Sequence, residues 1–502
     1  MANYFEVVVA GGGPVGLMLA CELRSAGVSV LVLERRARPE QAIKAGSMGP
    51  LAAEALFGLG LAAELRAAEE AAIARDVQLT GRPGGPREHF GGIFLDPSLA
   101  SDPDRRRIRI DQPELEALLA RHADRLGVEV RREHEVVGLS QDDQGVSVDV
   151  STPDGPLQVR CAYLAGCDGG RSTVRELAGF DFVGTPASLT GRDGVVRLAE
   201  EEKAKLARGF HHTDRGVFVF AGFGAERVAA VEFDGPPEDP HAPLTLPDLQ
   251  ASVRRVSGTD VVIDELISGF VYTDEARQAT TYRKGRVLLA GDAAHIYAPF
   301  GGQGLNVGLV DAANLGWKLA AQIRGWAPVG LLDTYTAERH PVAAVLLHNT
   351  RAQAALMRPD PQSRALRELF SGLVAMEAVT RLIVDMKTGQ SVRYDLGDAH
   401  PLVGTLCPDL PLDGVGGTLR ERLGSGWGLL LDLADRAEVR AAAAGWSERI
   451  GIVTAQAKID GVDALLLRPD GCVAWVLPAG AEPEEKELAG ALRTWFGEGK
   501  TG

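Results

Sequence analysis

The chain has 502 residues, of which 45% are hydrophobic and 24% charged, and its formal net charge is −15. This length allows roughly two to four domains with substantial cores, and the composition is typical of a soluble globular protein. The negative charge argues against nucleic acid and anionic membranes as partners, because phosphate binding needs a basic surface. No apolar run approaches the ~20 residues that a membrane-spanning helix needs.

The chain contains five cysteines, an odd number without a CxxC pair. This usage fits no disulfide framework and favours a reducing, cytoplasmic location. The first residues lack a basic region followed by an apolar stretch, so we expect no signal peptide.

The first informative segment is residues 5–33, which has the pattern of a strand, a glycine-rich turn, a helix and a second strand. Gly11, Gly13 and Gly16 occupy the positions at which a dinucleotide-binding turn brings its backbone close to a pyrophosphate. Glu34 ends the second strand, where a carboxylate accepts hydrogen bonds from an adenosine ribose. The unit predicts a Rossmann-like nucleotide-binding domain.

A second segment lies far downstream, and its pattern indicates where the other end of the ligand binds. The run GDAAH at residues 291–295 follows an apolar strand, and PFGGQGLN at residues 299–306 leads into an amphipathic helix. Asp292 can hold the hydroxyls of a ribityl chain. The N–H groups at the helix start favour the negative charge of a reduced flavin. The predicted ligand is therefore FAD, bound without a covalent link.

The roles of several other residues stay open on the sequence alone. Asp168 follows a strand within CDGGRSTVR at residues 167–175, where a structural turn and a cofactor contact are both compatible with the spacing. His295 and Pro299 are the candidate catalytic residues; His295 either carries a proton or packs beside the glycine-rich loop. The basic residues 105–109 form either a solvated face or a patch for the phosphates of a second nucleotide. Candidates that face either substrate or solvent are His211, His212, Arg215, Phe218 and Tyr272.

The whole pattern predicts an α/β fold in which a Rossmann-like FAD-binding domain carries an inserted β-rich substrate domain and is followed by a smaller α/β domain. One strand of the first domain is predicted at residues 128–137, and the strands of the last domain at residues 427–431, 449–453, 464–467 and 472–476. The predicted FAD-binding segments are residues 1–75, 105–175 and 276–398, the last with long helices; the substrate segments are residues 76–104 and 176–275; the C-terminal domain covers residues 399–502.

These runs together resemble the class A FAD-dependent aromatic hydroxylases, the p-hydroxybenzoate hydroxylase-like group. Further similarity lies in DAANLGWKL at residues 311–319 and in LRPDGCVAW at residues 467–475, which is similar to the thioredoxin-like C-terminal domain of a phenol and polyketide hydroxylase subgroup. Lys44 stands where many relatives have an arginine. The cofactor-binding residues that the motifs and the resemblance imply are Gly11, Gly13, Pro14, Gly16, Glu34, Arg35, Lys44, Gln112, Val136, Asp168, Gly291, Asp292, Pro299, Gly301, Gly302, Gly304, Leu305 and Asn306.

The resemblance implies a monooxygenase in which NAD(P)H reduces FAD and O2 forms a C4a-hydroperoxyflavin that hydroxylates a small aromatic molecule, a polycyclic polyketide or a phenol. Since the chain has no second nucleotide-binding unit, the nicotinamide is expected to bind transiently. Alternatives are a Baeyer–Villiger or antibiotic-inactivating monooxygenase, a non-catalytic flavoprotein that binds an aromatic ligand, and a plain NAD dehydrogenase. No metal is expected, and the protein is expected to be a monomer or homodimer.

Overall fold

The computed structural model describes residues 4–80, 88–222, 225–239, 242–424 and 426–500, and every structural statement refers to these residues. Residues 81–87 of the predicted substrate segment 76–104 lie outside them. The helices are α1 (Pro14–Ser25), α2 (Pro50–Gly58), α3 (Ala62–Thr80), α4 (Gln112–Arg125), α5 (Thr173–Leu177), α6 (Glu200–Ala204), α7 (Leu246–Ser257), α8 (Gly304–Arg324), α9 (Thr334–Met357), α10 (Pro361–Val374), α11 (Glu377–Thr388), α12 (Leu419–Leu423), α13 (Ala437–Ala443) and α14 (Glu485–Phe496).

The described strands belong to three larger sheets, one three-stranded sheet and two short pairings. They are β1 (Tyr4–Ala10), β2 (Val30–Glu34), β3 (Ser47–Met48), β4 (His89–Phe90), β5 (Ile93–Phe94), β6 (Ile108–Arg109), β7 (Glu129–Arg132), β8 (Glu135–Asp142), β9 (Gly145–Thr152), β10 (Gly155–Gly166), β11 (Phe182–Thr185), β12 (Thr190–Arg197), β13 (Gly209–Thr213), β14 (Gly216–Gly222), β15 (Glu226–Glu232), β16 (Glu265–Thr273), β17 (Ala276–Ala279), β18 (Arg283–Lys284), β19 (Val287–Leu289), β20 (His295–Ile296), β21 (Gly428–Asp432), β22 (Ile450–Thr454), β23 (Val462–Leu467) and β24 (Val473–Pro478).

The largest sheet has the strand order β18-β19-β10-β1-β2-β7, and β9 and β8 extend it from β10. Strands β19, β10, β1, β2 and β7 run parallel to one another. The central strand β1 is rich in valine and buried along most of its length, as a parallel strand covered on both faces requires. Ligands of such sheets bind beyond the carboxyl ends of the strands.

The carboxyl ends of three parallel strands bring the sequence motifs together. The turn at Gly11 follows β1, Asp168 follows β10, and Asp292 follows β19. Because neighbouring parallel strands end at the same edge of a sheet, three motifs spread over about 280 residues of sequence lie at one edge.

A second, antiparallel sheet has the order β13-β14-β15-β12-β16. Alternate residues of β14 point to opposite faces, as the two-residue period of a strand dictates. Phe218 and Phe220 pack on α7, whereas Val217 and Val219 join a cluster that contains Phe300. The second sheet therefore covers the glycine-rich segment that follows β19.

The C-terminal part contains a mixed sheet of order β22-β21-β23-β24, in which β22 is parallel to β21. The four strands predicted there are confirmed, with ends displaced by at most two residues. The predicted strand at residues 128–137 is corrected: it is divided into β7 and β8, and between them Glu133 has a φ of 58°, which breaks the extended backbone. The α/β fold class itself is confirmed.

No helix among the described residues is long and apolar enough to cross a membrane. Within the same part of the chain, no group of three or more His, Cys, Asp or Glu side chains is arranged to hold a metal ion.

Candidate active site

A cleft of about 570 Å³ lies at the carboxyl ends of the parallel strands. It is bounded by the glycine turn after β1, by the turn after β10 and by the start of α8. Most of the predicted cofactor-binding residues line it, although they come from six separate stretches of sequence. They are Gly11, Gly13, Pro14, Glu34, Arg35, Lys44, Gln112, Val136, Asp168, Asp292, Pro299, Gly302, Gly304 and Leu305.

The glycine turn is closed by contacts that exclude larger residues. Gly11 has a φ of 106°, and a Cβ there would lie 2.3 Å from the carbonyl oxygen of Cys167. The carboxylate of Glu34 accepts hydrogen bonds from the N–H groups of Gly12 (2.7 Å) and Arg36 (2.9 Å). Since a carboxylate has about four acceptor positions, Glu34 keeps capacity for ribose hydroxyls.

Two further carboxylates supply acceptors inside the cleft. Oδ2 of Asp168 accepts the N–H of Val174 at 3.1 Å, while its buried Oδ1 has no hydrogen-bond partner among the described residues. Asp292 is exposed to the open cleft. The surrounding protein walls reduce the solvation of both carboxyl groups, including that of Asp292 at the open cleft, and thereby raise the pKa of each. Free acceptors of this kind fit a ligand rich in hydroxyl donors.

The glycine loop, which we define as residues 299–304, connects the region of Asp292 to α8. Gly301 and Gly302 have φ values of 76° and 61°, so the loop uses a backbone conformation that favours glycine. The first turn of α8 has N–H groups without acceptors inside the helix. These groups would stabilise the electron-rich edge of a ring bound there. Together with the hydroxyl acceptors, the site fits FAD, which we expect Glu34, Asp168, Asp292 and the start of α8 to hold.

Arg107 and Asn306 hold the glycine loop from outside the cleft. Arg107 donates hydrogen bonds to the carbonyl oxygens of Gly301 (3.2 Å) and Gly302 (3.3 Å). Asn306 donates to the same Gly302 carbonyl at 2.8 Å and accepts the N–H of Gly49 at 2.5 Å. These contacts fix the conformation of the loop without contacting the cleft.

His295 lies outside the cleft and is completely buried. Its Nε2 is 2.7 Å from Oδ2 of Asp311, and the Nε of Arg339 donates to Oδ1 of the same carboxylate at 2.7 Å. Burial alone would raise the pKa of Asp311, but Arg339 and His295 outweigh it and hold that pKa below its usual value. Asp311 also accepts the N–H of Gly291 at 3.2 Å. This position does not support His295 as a proton carrier, because the structure does not bring it to the cavity.

Four of the predicted cofactor-binding residues do not line the cleft. Gly16 packs α1 against the turn, since a Cβ there would lie 2.0 Å from the carbonyl oxygen of Gly11. Gly291 directs its N–H to Asp311, and Gly301 and Asn306 shape the glycine loop. These residues shape the cleft walls without lining the cleft itself, and Gly301 lines the second cavity instead.

A second cavity of about 200 Å³ adjoins the cleft and shares Lys44, Ala45, Pro299 and Gly302 with it. It lies between the glycine loop and the second sheet. Several cationic side chains line it, and two of them, Arg107 and Lys387, pair with Glu88. The charged or titratable residues around it are Lys44, Glu88, His89, Arg107, Asp111, Arg227 and Lys387.

Residues 4–350 match the family described as FAD binding domain, and residues 400–499 match the family described as aromatic-ring hydroxylase, C-terminal. The chain belongs to the FAD-dependent aromatic-ring hydroxylases. It is 42% identical to the 12-dehydrotetracycline 5-monooxygenase/anhydrotetracycline 6-monooxygenase of Streptomyces rimosus, over 98% of this chain and 99% of that protein. It is also 42% identical to a rifampicin monooxygenase of Streptomyces venezuelae, over 99% and 100% of the two chains.

Among solved structures, the anhydrotetracycline hydroxylase from Streptomyces rimosus is similar with a TM-score of 0.87 and 40% identity, covering 99% of this chain and 100% of that chain. These findings confirm the predicted family, FAD as the cofactor and a monooxygenase activity, for which a reduced nicotinamide and O2 are the typical co-substrates. They favour this activity over the alternatives of a non-catalytic flavoprotein and a plain NAD dehydrogenase.

In this hydroxylase, both interpretations of the basic residues 105–109 are wrong. Each arginine pairs with a carboxylate, and three of the four side chains are at most 13% exposed, so the group is neither a solvated face nor a phosphate patch. The partners lie 19 to 51 residues away in the sequence, a separation that no local pattern reveals. The pairs are Arg105–Glu54 (2.7 Å), Arg106–Glu69 (2.6 Å), Arg107–Glu88 (2.5 Å) and Arg109–Asp76 (2.5 Å).

The hydroxylase cleft also contains residues that the sequence analysis did not assign to the cofactor site. Of the residues suggested to face substrate, Tyr272 lines the cleft, whereas His211, His212, Arg215 and Phe218 line neither of the two cavities. The unassigned residues come from strand β16 and from loops that are far apart in the sequence, although Tyr297 stands between the motifs at residues 291–295 and 299–306, and this position was a usable signal. They include Arg36, His134, Arg171, Phe270 and Tyr297.

Proposed function

We propose that this monooxygenase hydroxylates a polycyclic phenol or polyketide that binds in the second cavity. The proposal is based on the position of the second cavity, which meets the cleft at Pro299 and Gly302, two residues that line both cavities. A substrate ring in the second cavity lies next to the glycine loop, against which the ring system of FAD is expected to bind. Oxygen transfer requires this proximity.

The charge distribution of the second cavity supports a substrate with acidic oxygens. The Nε of Arg227 lies 2.5 Å from Oδ1 of Asp193, and Lys44, which also lines the cavity, lies 3.9 Å from a carboxylate oxygen of Glu40. A phenol or enol oxygen is a good acceptor for such cations. The names of the relatives, which mention tetracycline and rifampicin compounds, agree with a large oxygenated substrate.

The apolar side chains that pack around the glycine loop would help to exclude water from the expected reaction site. Tyr272 and Phe300 make an edge-to-face contact with ring centroids 6.1 Å apart, and Ala298 and Val217 belong to the same apolar cluster. Bound FAD supplies the activation of O2, and the protein supplies binding, orientation and a dry site. Efficient transfer of oxygen to the substrate depends on this exclusion of water.

A substrate panel tests the proposed class. We expect polycyclic phenols to stimulate NADPH oxidation by the holoenzyme, and single-ring phenols of the same acidity to stimulate it less. The opposite ranking would contradict the proposal. A Baeyer–Villiger outcome adds the same single oxygen but gives an ester or lactone, so NMR of the product distinguishes it from hydroxylation.

The proposal also covers the cellular location of the protein, its C-terminal domain and its oligomeric state. The five cysteines are free in the structure, which supports a reducing cytoplasmic setting. The four-stranded sheet β21–β24 lies within residues 399–502 and supports a separate C-terminal domain of the thioredoxin-like kind. We propose a monomer or homodimer, which light scattering coupled to size-exclusion chromatography measures.

A further inference from the structure

Tyr297 is a cleft residue with an unused hydrogen-bond donor. It follows β20, and its side chain lines the wall of the cleft beside Asp292. Its hydroxyl is buried and has no hydrogen-bond partner among the described residues. An unpaired buried hydroxyl costs free energy. We therefore expect a bound molecule to provide the acceptor that the described residues do not provide.

The position of the Tyr297 ring is fixed from behind. The ring stacks on His295 with centroids 5.8 Å apart and an interplanar angle of 12°. Asp311 and Arg339 in turn hold His295 in the buried cluster described above. The ring therefore rests on a rigid support and cannot turn its hydroxyl toward solvent without losing this contact.

The hydroxyl of Tyr297 lies at the start of α8. A Cβ placed on Gly304 would lie 3.3 Å from this oxygen, so only the absence of a side chain keeps the space beside it open. Burial, together with the negative charges of Asp292 and Asp311, raises the pKa of Tyr297 well above its ordinary value. The group consequently keeps its proton and acts as a donor.

We propose that the hydroxyl of Tyr297 donates a hydrogen bond to bound FAD, at the part of the cofactor held between Asp292 and the start of α8. The inference rests on FAD binding, which the family membership shows, and not on the identity of the substrate. Tyr297 then both packs on the buried cluster and binds the cofactor directly.

The test is Tyr297→Phe, studied as apoprotein prepared by removing FAD. A titration with FAD, followed by flavin fluorescence, measures the Kd, and a thermal melt of the apoprotein measures its stability. The loss of one neutral hydrogen bond is expected to raise the Kd about three- to tenfold. The melting temperature of the apoprotein should not fall, because the substitution removes only an unpaired hydroxyl.

Tyr335→Phe is the matched control. The hydroxyl of Tyr335 is also buried, but it donates to the carbonyl oxygen of Leu289 at 2.8 Å, so its removal should lower the melting temperature and leave the Kd for FAD unchanged. A Tyr297→Phe protein with an unchanged Kd, or with a Kd that rises only alongside a lower melting temperature, would overturn the proposal. Because no substrate is present, this outcome is separate from a failure of the proposed hydroxylation.

Discussion

Arg468 forms a buried ion pair with Glu338 of α9, in which each of the two Nη nitrogens of the guanidinium lies 2.8 Å from one carboxylate oxygen. The Nζ of Lys318 is 2.8 Å from the same carboxylate. Burial alone would raise the pKa of Glu338, but Arg468 and Lys318 outweigh it and hold that pKa well below its ordinary range. Two motifs that are about 150 residues apart in the sequence thus meet in one buried cluster that attaches the C-terminal sheet to α8 and α9.

Removal of one member of this pair should destabilise the protein strongly. Arg468→Met leaves Glu338 buried with a reduced set of partners, and the breaking of such a pair costs about 3–5 kcal/mol. The control is Arg436→Met, which removes a more exposed ion pair with Asp463 and should lower the melting temperature far less, because solvent screens such a pair. Equal melting temperatures of the two variants would contradict the structural role of Arg468.

Asp292 should decide whether the protein holds its cofactor. Asp292→Ala removes the acceptor at the end of β19, and we expect the purified variant to be colourless and free of FAD. Asp292→Asn keeps one oxygen acceptor and should retain part of the cofactor. The ratio of absorbance at the flavin band to that of the protein reports occupancy; a fully yellow Asp292→Ala protein would show that the site has been assigned wrongly.

Arg107 should control the order of the glycine loop. Arg107→Met removes both hydrogen bonds to the loop carbonyls, and we expect about tenfold weaker FAD binding together with more peroxide released per NADPH consumed. Arg106→Met is the control, because Arg106 is 64% exposed and pairs with Glu69 of α3 without contacting the loop. The prediction fails if the two variants release the same amount of peroxide.

Two buried histidines should make the folded protein less stable in acid. His89 and His212 both pack against Phe210, and burial lowers the pKa of each to about 4, with further lowering from Lys387 for His89 and from Arg367 for His212. In the unfolded chain the pKa is about 6.5, so the unfolded state binds more protons between these values. Their contribution to stability is present above pH about 6.5 and is lost as the pH falls through about 4.

The measurement for this prediction is the melting temperature of the apoprotein between pH about 7 and about 4.5. The double variant His89→Gln/His212→Gln cannot titrate at these positions, so its melting temperature should fall less over this interval than that of the wild type. Identical slopes in the two proteins would show that these histidines are not buried in neutral form.

The sequence predicted the parts of the site that rest on local rules. The turn at Gly11 and the acceptor Asp292 follow strands directly, and strand, turn and helix patterns reveal them without any knowledge of the fold. Arg107 could not be assigned, because its function depends on Glu88 and on carbonyls almost 200 residues away. His295 belonged to a quoted motif, yet its burial behind the cleft depends on Asp311 and Arg339, whose positions only the packing of α8 and α9 determines.

The central claim is that this chain uses FAD to transfer one atom of O2 to an aromatic substrate. The most direct measurement supplies the holoenzyme with NADPH, 18O2 and a polycyclic phenol, and records the mass and structure of the product. The account predicts substrate-stimulated NADPH oxidation and a new hydroxyl group that carries a single 18O atom. NADPH oxidation that yields only peroxide with every phenol of the panel, or a product whose new oxygen comes from water, would contradict it.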